Sequence, residues 1–232
     1  MSFFKKLFNG TNNGPLVPTP DEMKKYCDAA TQSDGLNALQ AFHDKFGPNY
    51  ADSICPTTGY TAPMRAAQHG ILSHCNLLIS NGANVNAKDK DGWSPLMVAV
   101  NHRRHDAALL LLNNNADINA KNNNGMTPLM TAAREADERV LNLLLERGAD
   151  PQLVNSTNQN AAAVARSCST GPTDLSHARI AGLLDQAIAD RLGTTVKAMA
   201  AANQKVAAQV AEGFSQGIDK PLTVSRPLTF KS

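Results

Sequence analysis

The chain has 232 residues, enough to bury a sizeable core, but with 42% hydrophobic residues and only 5% aromatic that core has to be aliphatic and alanine-rich. Lys and Arg number 22 against 20 Asp and Glu, a net charge of +2 with no run of five like charges, which excludes the charge footprint of a nucleic-acid binder. Cys27, Cys55, Cys75 and Cys168 lie far apart without a Cys-x-x-Cys pair, a spacing that fits neither a disulfide-stapled mini-domain nor a zinc site and implies a reduced, cytoplasmic setting.

The start, MSFFKKLFNG, sets Phe3, Phe4, Leu7 and Phe8 around Lys5 and Lys6. Its apolar stretch is too short for a secretory signal peptide, and no membrane-spanning run follows. Packing or a flexible end is the preferred reading of these four residues, with membrane-interface contact as the alternative. NGTNNGPLVPTP has linker composition, so residues 1–20 read as a flexible N-terminal segment. Residues 21–47, DEMKKYCDAATQSDGLNALQAFHDKFG, carry two helical stretches joined near Asp34 and Gly35, and PNYADSICPT, residues 48–57, forms a long connection after them.

From residue 58 the chain repeats itself at an offset of 33. Residues 58–90 read TGYTAPMRAAQHGILSHCNLLISNGANVNAKDK, residues 91–123 DGWSPLMVAVNHRRHDAALLLLNNNADINAKNN, and residues 124–156 NGMTPLMTAAREADERVLNLLLERGADPQLVNS. Ser94 and Thr127 can cap a helix whose first position is Pro95 or Pro128, where a missing N–H costs nothing. Ala66, Ala99 and Ala132 allow close helix contact, and the pairs Leu77/Leu78, Leu110/Leu111 and Leu143/Leu144 form the apolar stripe of a second helix. Leu110→Ala or Leu143→Ala is therefore expected to cost about 2–5 kcal/mol as a core truncation. Gly82, Asn115 and Gly148 end that helix where a left-handed residue is needed. Each unit resembles the ankyrin repeat, with its D-G-x-T-P-L-x-x-A opening, leucine-rich second helix and G-A-D-x-N close. Two departures stand out: Pro63 comes one place late in T-A-P-M, and the inter-helix Gly70 becomes Arg103 and Ala136, where distorted turns are expected.

A degenerate unit starts at Thr157 with TNQNAAAVARSCS, capped by Asn160, and six extra residues around STGPTD delay its leucines to Leu183 and Leu184. Residues 21–57 then read as an N-terminal cap, since terminal units of a solenoid expose a face that inner ones bury. Residues 191–216 read as a C-terminal helix with Val196, Met199, Asn203, Val206 and Val210 on a heptad seam. It is expected to shield the last repeat, with helix–helix contact to another chain through Val196, Met199, Val206 and Val210 as the alternative. Residues 217–232, with PLTVS and PLTFK, read as an extended tail, for which strand addition to a partner is the alternative. The fold expected is all-α: an ankyrin-repeat solenoid over residues 21–190 of helix-turn-helix units with β-turn tips, in order the cap 21–57, repeats 58–90, 91–123 and 124–156, and the degenerate unit 157–190, plus a C-terminal helix.

No phosphate-binding loop, nucleophile elbow or H-E-x-x-H is present in the sequence, and no catalytic residue, metal ligand or cofactor is expected. His102 and His105 lie in a helix end or turn with two arginines between them and read as exposed histidines; Cys75, after His74, reads as a core thiol. The resemblance directs attention to the β-turn tips and the exposed face of the first helices, where the family grips its partners. The column before the helix cap holds Tyr60, Trp93, Met126 and Gln159, three of them large and apolar. A second column near the end of the first helix holds Gln68, Asn101, Arg134 and Arg166, and beside it run His69, His102, Glu135 and Ser167. Trp93 can staple to Val98 inside its own helix. Tyr60 would then face Arg65 and Met126 would face Thr131, so stapling accounts for one layer of three, and Tyr, Trp and Met are types enriched at interface centres.

The function implied by the resemblance is a non-catalytic protein-binding scaffold, adaptor or inhibitor. Alternatives are an immunity-type partner that occludes a toxin or enzyme, and a pathogen effector engaging host proteins, secreted by a route without a signal peptide. From another class comes a metal- or ligand-binding protein, or an enzyme, using the His69/His102/Glu135 column.

Overall fold

The computed structural model describes residues 18–32, 34–46, 52–55, 58–169 and 175–215, which form ten α-helices and no strand. In chain order these are α1 (Pro20–Ala29), α2 (Leu36–Phe46), α3 (Ala62–His69), α4 (Leu72–Ser80), α5 (Pro95–Asn101), α6 (His105–Asn113), α7 (Pro128–Arg134), α8 (Glu138–Glu146), α9 (Ala161–Cys168) and α10 (Leu175–Ser215). Two compact units divide at Ala187 and Ile188, so α10 contributes to both.

In the first unit, each repeat supplies an antiparallel helix pair, α1 with α2, α3 with α4, α5 with α6 and α7 with α8. First helices pack on first helices along the series α1, α3, α5, α7, α9, and second helices along α2, α4, α6, α8. The first helices start where the sequence places caps: the hydroxyls of Thr61, Ser94 and Thr127 and the Asn160 side chain accept N–H groups one turn on, and α3, α5 and α7 carry Pro in the first turn. At α1, Thr19 and Glu22 make a reciprocal capping box ahead of the repeats.

The core is small-residue and aliphatic: Ala66, Ala99, Ala132 and Ala165 are sealed between layers, with Leu96 and Leu129 beside them. Of each leucine pair only the second member is fully buried, as Leu78, Leu111, Leu144 and Leu184, while Leu77, Leu110, Leu143 and Leu183 are partly exposed. This corrects the expectation for Leu110 and Leu143. Neighbours in a helix point about 100° apart, so one residue of two can face the next layer, and the core-truncation cost belongs to Leu111 and Leu144.

The inter-helix turns are not distorted. Gly70 has φ 72°, and Arg103 and Ala136 hold the same left-handed conformation at φ 55° and 51°. The second helices end as the sequence implies, with Gly82, Asn115 and Gly148 at φ 88°, 63° and 89°.

After α9 the first unit takes residues 175–187 of α10, whose Ile180, Ala181 and Leu184 complete the core. Arg179 pairs with Glu138 at 3.0 Å, and His177 donates from Nε2 to the Arg134 carbonyl at 3.0 Å. The sequence reading ended this helix near residue 190 and began another at 191. The helix instead continues to Ser215, because Gly182 and Gly193 cost only about 1 kcal/mol each against Ala and no proline intervenes. In the second unit the hydroxyls of Thr194 and Thr195 donate to the carbonyls of Asp190 and Arg191, at 2.9 Å each.

None of the four cysteines forms a disulfide. Although distant in sequence, Cys27 of α1 and Cys55 of the first tip meet in the core, and burial, followed by the neighbouring Cys55 thiol, pushes the Cys27 thiol far above its ordinary pKa. Cys75 is raised by burial to about 12, as suits a packing thiol. Among the described residues no helix is long and apolar enough to cross a membrane.

Candidate interaction surface

The second, third and fourth tips are each organised by one side chain four residues before the stripe position. At the second tip, Asp89 Oδ1 accepts the N–H groups of Asp91 (2.9 Å) and Trp93 (2.8 Å), while the Asp89 N–H donates to the Trp93 carbonyl (3.0 Å). Asn122 does the same for Asn124 and Met126, and Asn155 for Thr157 and Gln159. The first tip is one residue longer: the Cys55 N–H donates to the Tyr60 carbonyl at 2.8 Å, and Thr58 Oγ1 accepts from the Tyr60 N–H at 3.4 Å.

Tip is tied to tip across layers. The Asn123 N–H donates to the Asp91 carbonyl (3.1 Å) and that of Ser156 to Asn124 (3.0 Å). Lys88 Nζ reaches the Lys121 carbonyl (2.8 Å), and Lys121 Nζ that of Val154 (2.9 Å). A Cβ on Gly92 would lie 2.8 Å from the Asn123 nitrogen and one on Gly125 2.9 Å from that of Ser156, so the layers approach at distances only glycine permits.

On this rigid edge Tyr60, Trp93 and Met126 are each half-buried. Met126 leans on the core, and the Asn155 amide approaches its sulfur at 3.6 Å. Trp93 stands under Arg134, whose guanidinium carbon is 5.8 Å from the ring centroid. Arg134 also donates to Asn101 Oδ1 (2.5 Å) and Glu135 Oε1 (3.2 Å), so Trp93, Asn101, Arg134 and Glu135 form one cluster across two layers. Val98, the staple partner, is 1% exposed inside the core.

Toward the first repeat, Arg65 donates to Gln68 Oε1 (3.2 Å), and the Gln68 amide donates to His102 Nε2 (3.4 Å). Arg104 Nε donates to the Gln68 carbonyl (3.0 Å), and Arg103 bonds the Glu135 carbonyl. His69 is exposed, and its pKa is held below the ordinary value by partial desolvation and then by Arg65, Arg104 and His102. His105 donates to Asp137 Oδ2 at 2.7 Å. The carboxylate of Glu135 thus faces Arg134, and among the described residues no three His, Cys, Asp or Glu side chains converge as a metal would require. Two open grooves, of about 400 Å³ beside Leu36, Ser73 and Leu77 and about 290 Å³ beside Tyr26, Phe42 and Phe46, are lined by no residue of the stripe.

The Asp89, Asn122 and Asn155 column keeps the period of 33, so the signal for the tip organisers was in the sequence as a polar residue recurring four places before the stripe. Phe3, Phe4, Leu7 and Phe8 lie outside the described residues, as do residues 217–232 and the side chains of Val196, Asn203, Val206 and Val210; Met199 is 41% exposed.

The sequence matches the family described as Ankyrin repeats (3 copies) over residues 27–122 and 64–155, together more than half of the chain. Ankyrin repeats are generally protein–protein interaction modules and are typically non-catalytic. No curated protein matches the chain.

Proposed function

We propose, because the chain belongs to the ankyrin repeat family, that it is a non-catalytic adaptor or inhibitor gripping a partner protein by its tips and first-helix ends. Tyr60, Trp93 and Met126 form the apolar part of that surface, and His69, Asn101, His102, Arg134 and Glu135 its polar part. The observation that carries this reading is Trp93: a half-buried indole, backbone-pinned on both its N–H and its carbonyl, with a guanidinium over its face. Such a side chain is already ordered before a partner arrives, which removes much of the entropy cost of binding.

Truncation tests it. Trp93→Ala is expected to weaken partner capture at least about tenfold, in the range of an interface centre, while leaving the fold intact. The cation–π contact it removes is worth about 0.5–1 kcal/mol at an exposed site. Pull-down from native lysate, with captured proteins identified by mass spectrometry and the thermal midpoint measured in parallel, checks both. Unchanged capture by a folded Trp93→Ala protein would move the binding surface elsewhere; a collapsed midpoint with unchanged affinity per folded molecule would make Trp93 structural.

A further inference from the structure

We infer that the partner presents an acidic protein segment, whose carboxylates dock on the Arg65, His69, His102 and Arg104 cluster at the ends of the first helices in the first two repeats. The inference rests on the protein-binding reading above and adds the partner's chemistry to it.

Charge distribution leads to it. The chain contains no Asp or Glu from Ser53 to Lys88, nor from Gly92 to His105, although its total charge is nearly balanced. Folding brings the cations of those two stretches together around Gln68, which accepts from Arg65 and Arg104 and donates to His102. His69 stands beside them in solvent, and every charged group acting on it is a cation: Arg65, Arg104 and His102. The third and fourth repeats differ, because there Arg134 pairs with Glu135, Arg179 with Glu138 and Arg166 with Asp185. His105, next along the turn, already holds Asp137. Among the described residues, the cations gathered around Gln68 therefore have no carboxylate partner.

A structural use for the cations exists, since helix C-termini favour positive charge and Arg103 and Arg104 each bond a main-chain carbonyl. That use engages part of each guanidinium, which offers five N–H donors in all. Among the described residues, Arg65 and His69 bond no such carbonyl. The cluster lies one helix length from the aromatic edge: the eight residues of α3 span about 12 Å. A segment of three or four extended residues covers that distance, so a partner can set an apolar side chain against Tyr60 and Trp93 and carboxylates against the cluster.

Binding is then linked to protons. A carboxylate beside His69 favours its charged form against the desolvation and the cations that depress it, so the complex takes up a proton and affinity rises as pH falls, by at most about tenfold per pH unit for one site. Arg65, Arg104 and His102 are the charged groups facing His69.

The test uses the full chain and fluorescent twelve-residue peptides of one Leu in a Ser/Gly background carrying zero, three or six Glu, with a single-stranded twelve-nucleotide DNA as control. Anisotropy at low salt is expected to show affinity rising at least about tenfold from zero to six Glu, rising further from about pH 7.5 to about pH 6, and losing its Glu dependence in Arg65→Gln/His69→Gln. His69→Glu, at an exposed position, serves should the double variant fail to fold. Affinity independent of Glu number, equal binding by His69→Glu, or tighter binding of the DNA overturns the inference. Trp93→Ala separates the two readings. If peptide binding keeps its Glu dependence but is indifferent to Trp93, the aromatic edge fails and the acidic-segment inference stands. If binding needs Trp93 but ignores Glu, the inference fails and the interaction surface remains.

Discussion

His69 ends α3 at an exposed position with three cations around it, and its pKa is held below the ordinary value by partial desolvation first and by those cations next. Its NMR titration midpoint is expected below the ordinary value of about 6.5 and is expected to move up in Arg65→Gln, which removes one of the cations; a midpoint indifferent to that change would mean the cluster does not form. The sign for stability follows. Because the folded pKa is depressed, the unfolded chain binds more protons through the interval below about 6.5, so this group's contribution becomes unfavourable as pH falls through that interval and vanishes above it. The cluster was not legible in sequence, where Arg104 stands a whole repeat away from Arg65 and His69 and only folding closes the distance. The reverse holds for Trp93, whose place at a turn was readable from DGWSP, although Arg134 over its ring was not. As the chain's single tryptophan, it lets its own fluorescence report whatever covers it.

Among the elements, the short turns between paired helices show how position overrides residue type. Arg103 and Ala136 adopt φ 55° and 51° where the first repeat has glycine, a conformation costing an L-residue about 1–2 kcal/mol. They are held there because α5 with α6 and α7 with α8 must pair in the same way as α3 with α4. Ala136→Gly is accordingly expected to stabilise by about 0.5–1 kcal/mol, the relief of strain being partly offset by unfolded-chain entropy. Gly125→Ala is expected to destabilise by about 1–3 kcal/mol, since it adds left-handed strain to a Cβ 2.9 Å from the Ser156 nitrogen. Urea denaturation of both variants checks the pair, and equal shifts of one sign would refute the account. Sequence reasoning expected distortion here because it priced each residue alone. It also missed the continuity of α10, where the boundary drawn between residues 190 and 191 falls inside one helix.

For the molecule as a whole, the repeat period was the part of the fold most legible in sequence, because every layer solves the same burial problem with alanine at one place and leucine at another. In the first unit a helix pair such as α5 and α6 is flanked on both sides, whereas α1 and α2 pack on one neighbouring pair only. Stability in such an array is a sum of repeat and nearest-neighbour terms. Hydrogen exchange is therefore expected to be slowest in α5 and α7 and faster in α1 and α2, read by mass spectrometry of peptic fragments; a uniform rate would mean the layers open as one body. The bonds that join Lys88 to Lys121, Lys121 to Val154 and Asn123 to Asp91 each reach one layer and no farther. A gene that duplicated or lost one thirty-three-residue segment would leave each remaining tip beside a tip of the same kind, with its hydrogen bonds remade. Length is thus a heritable variable that can drift in whole steps, and the surface offered to a partner can be widened or narrowed without designing a new fold.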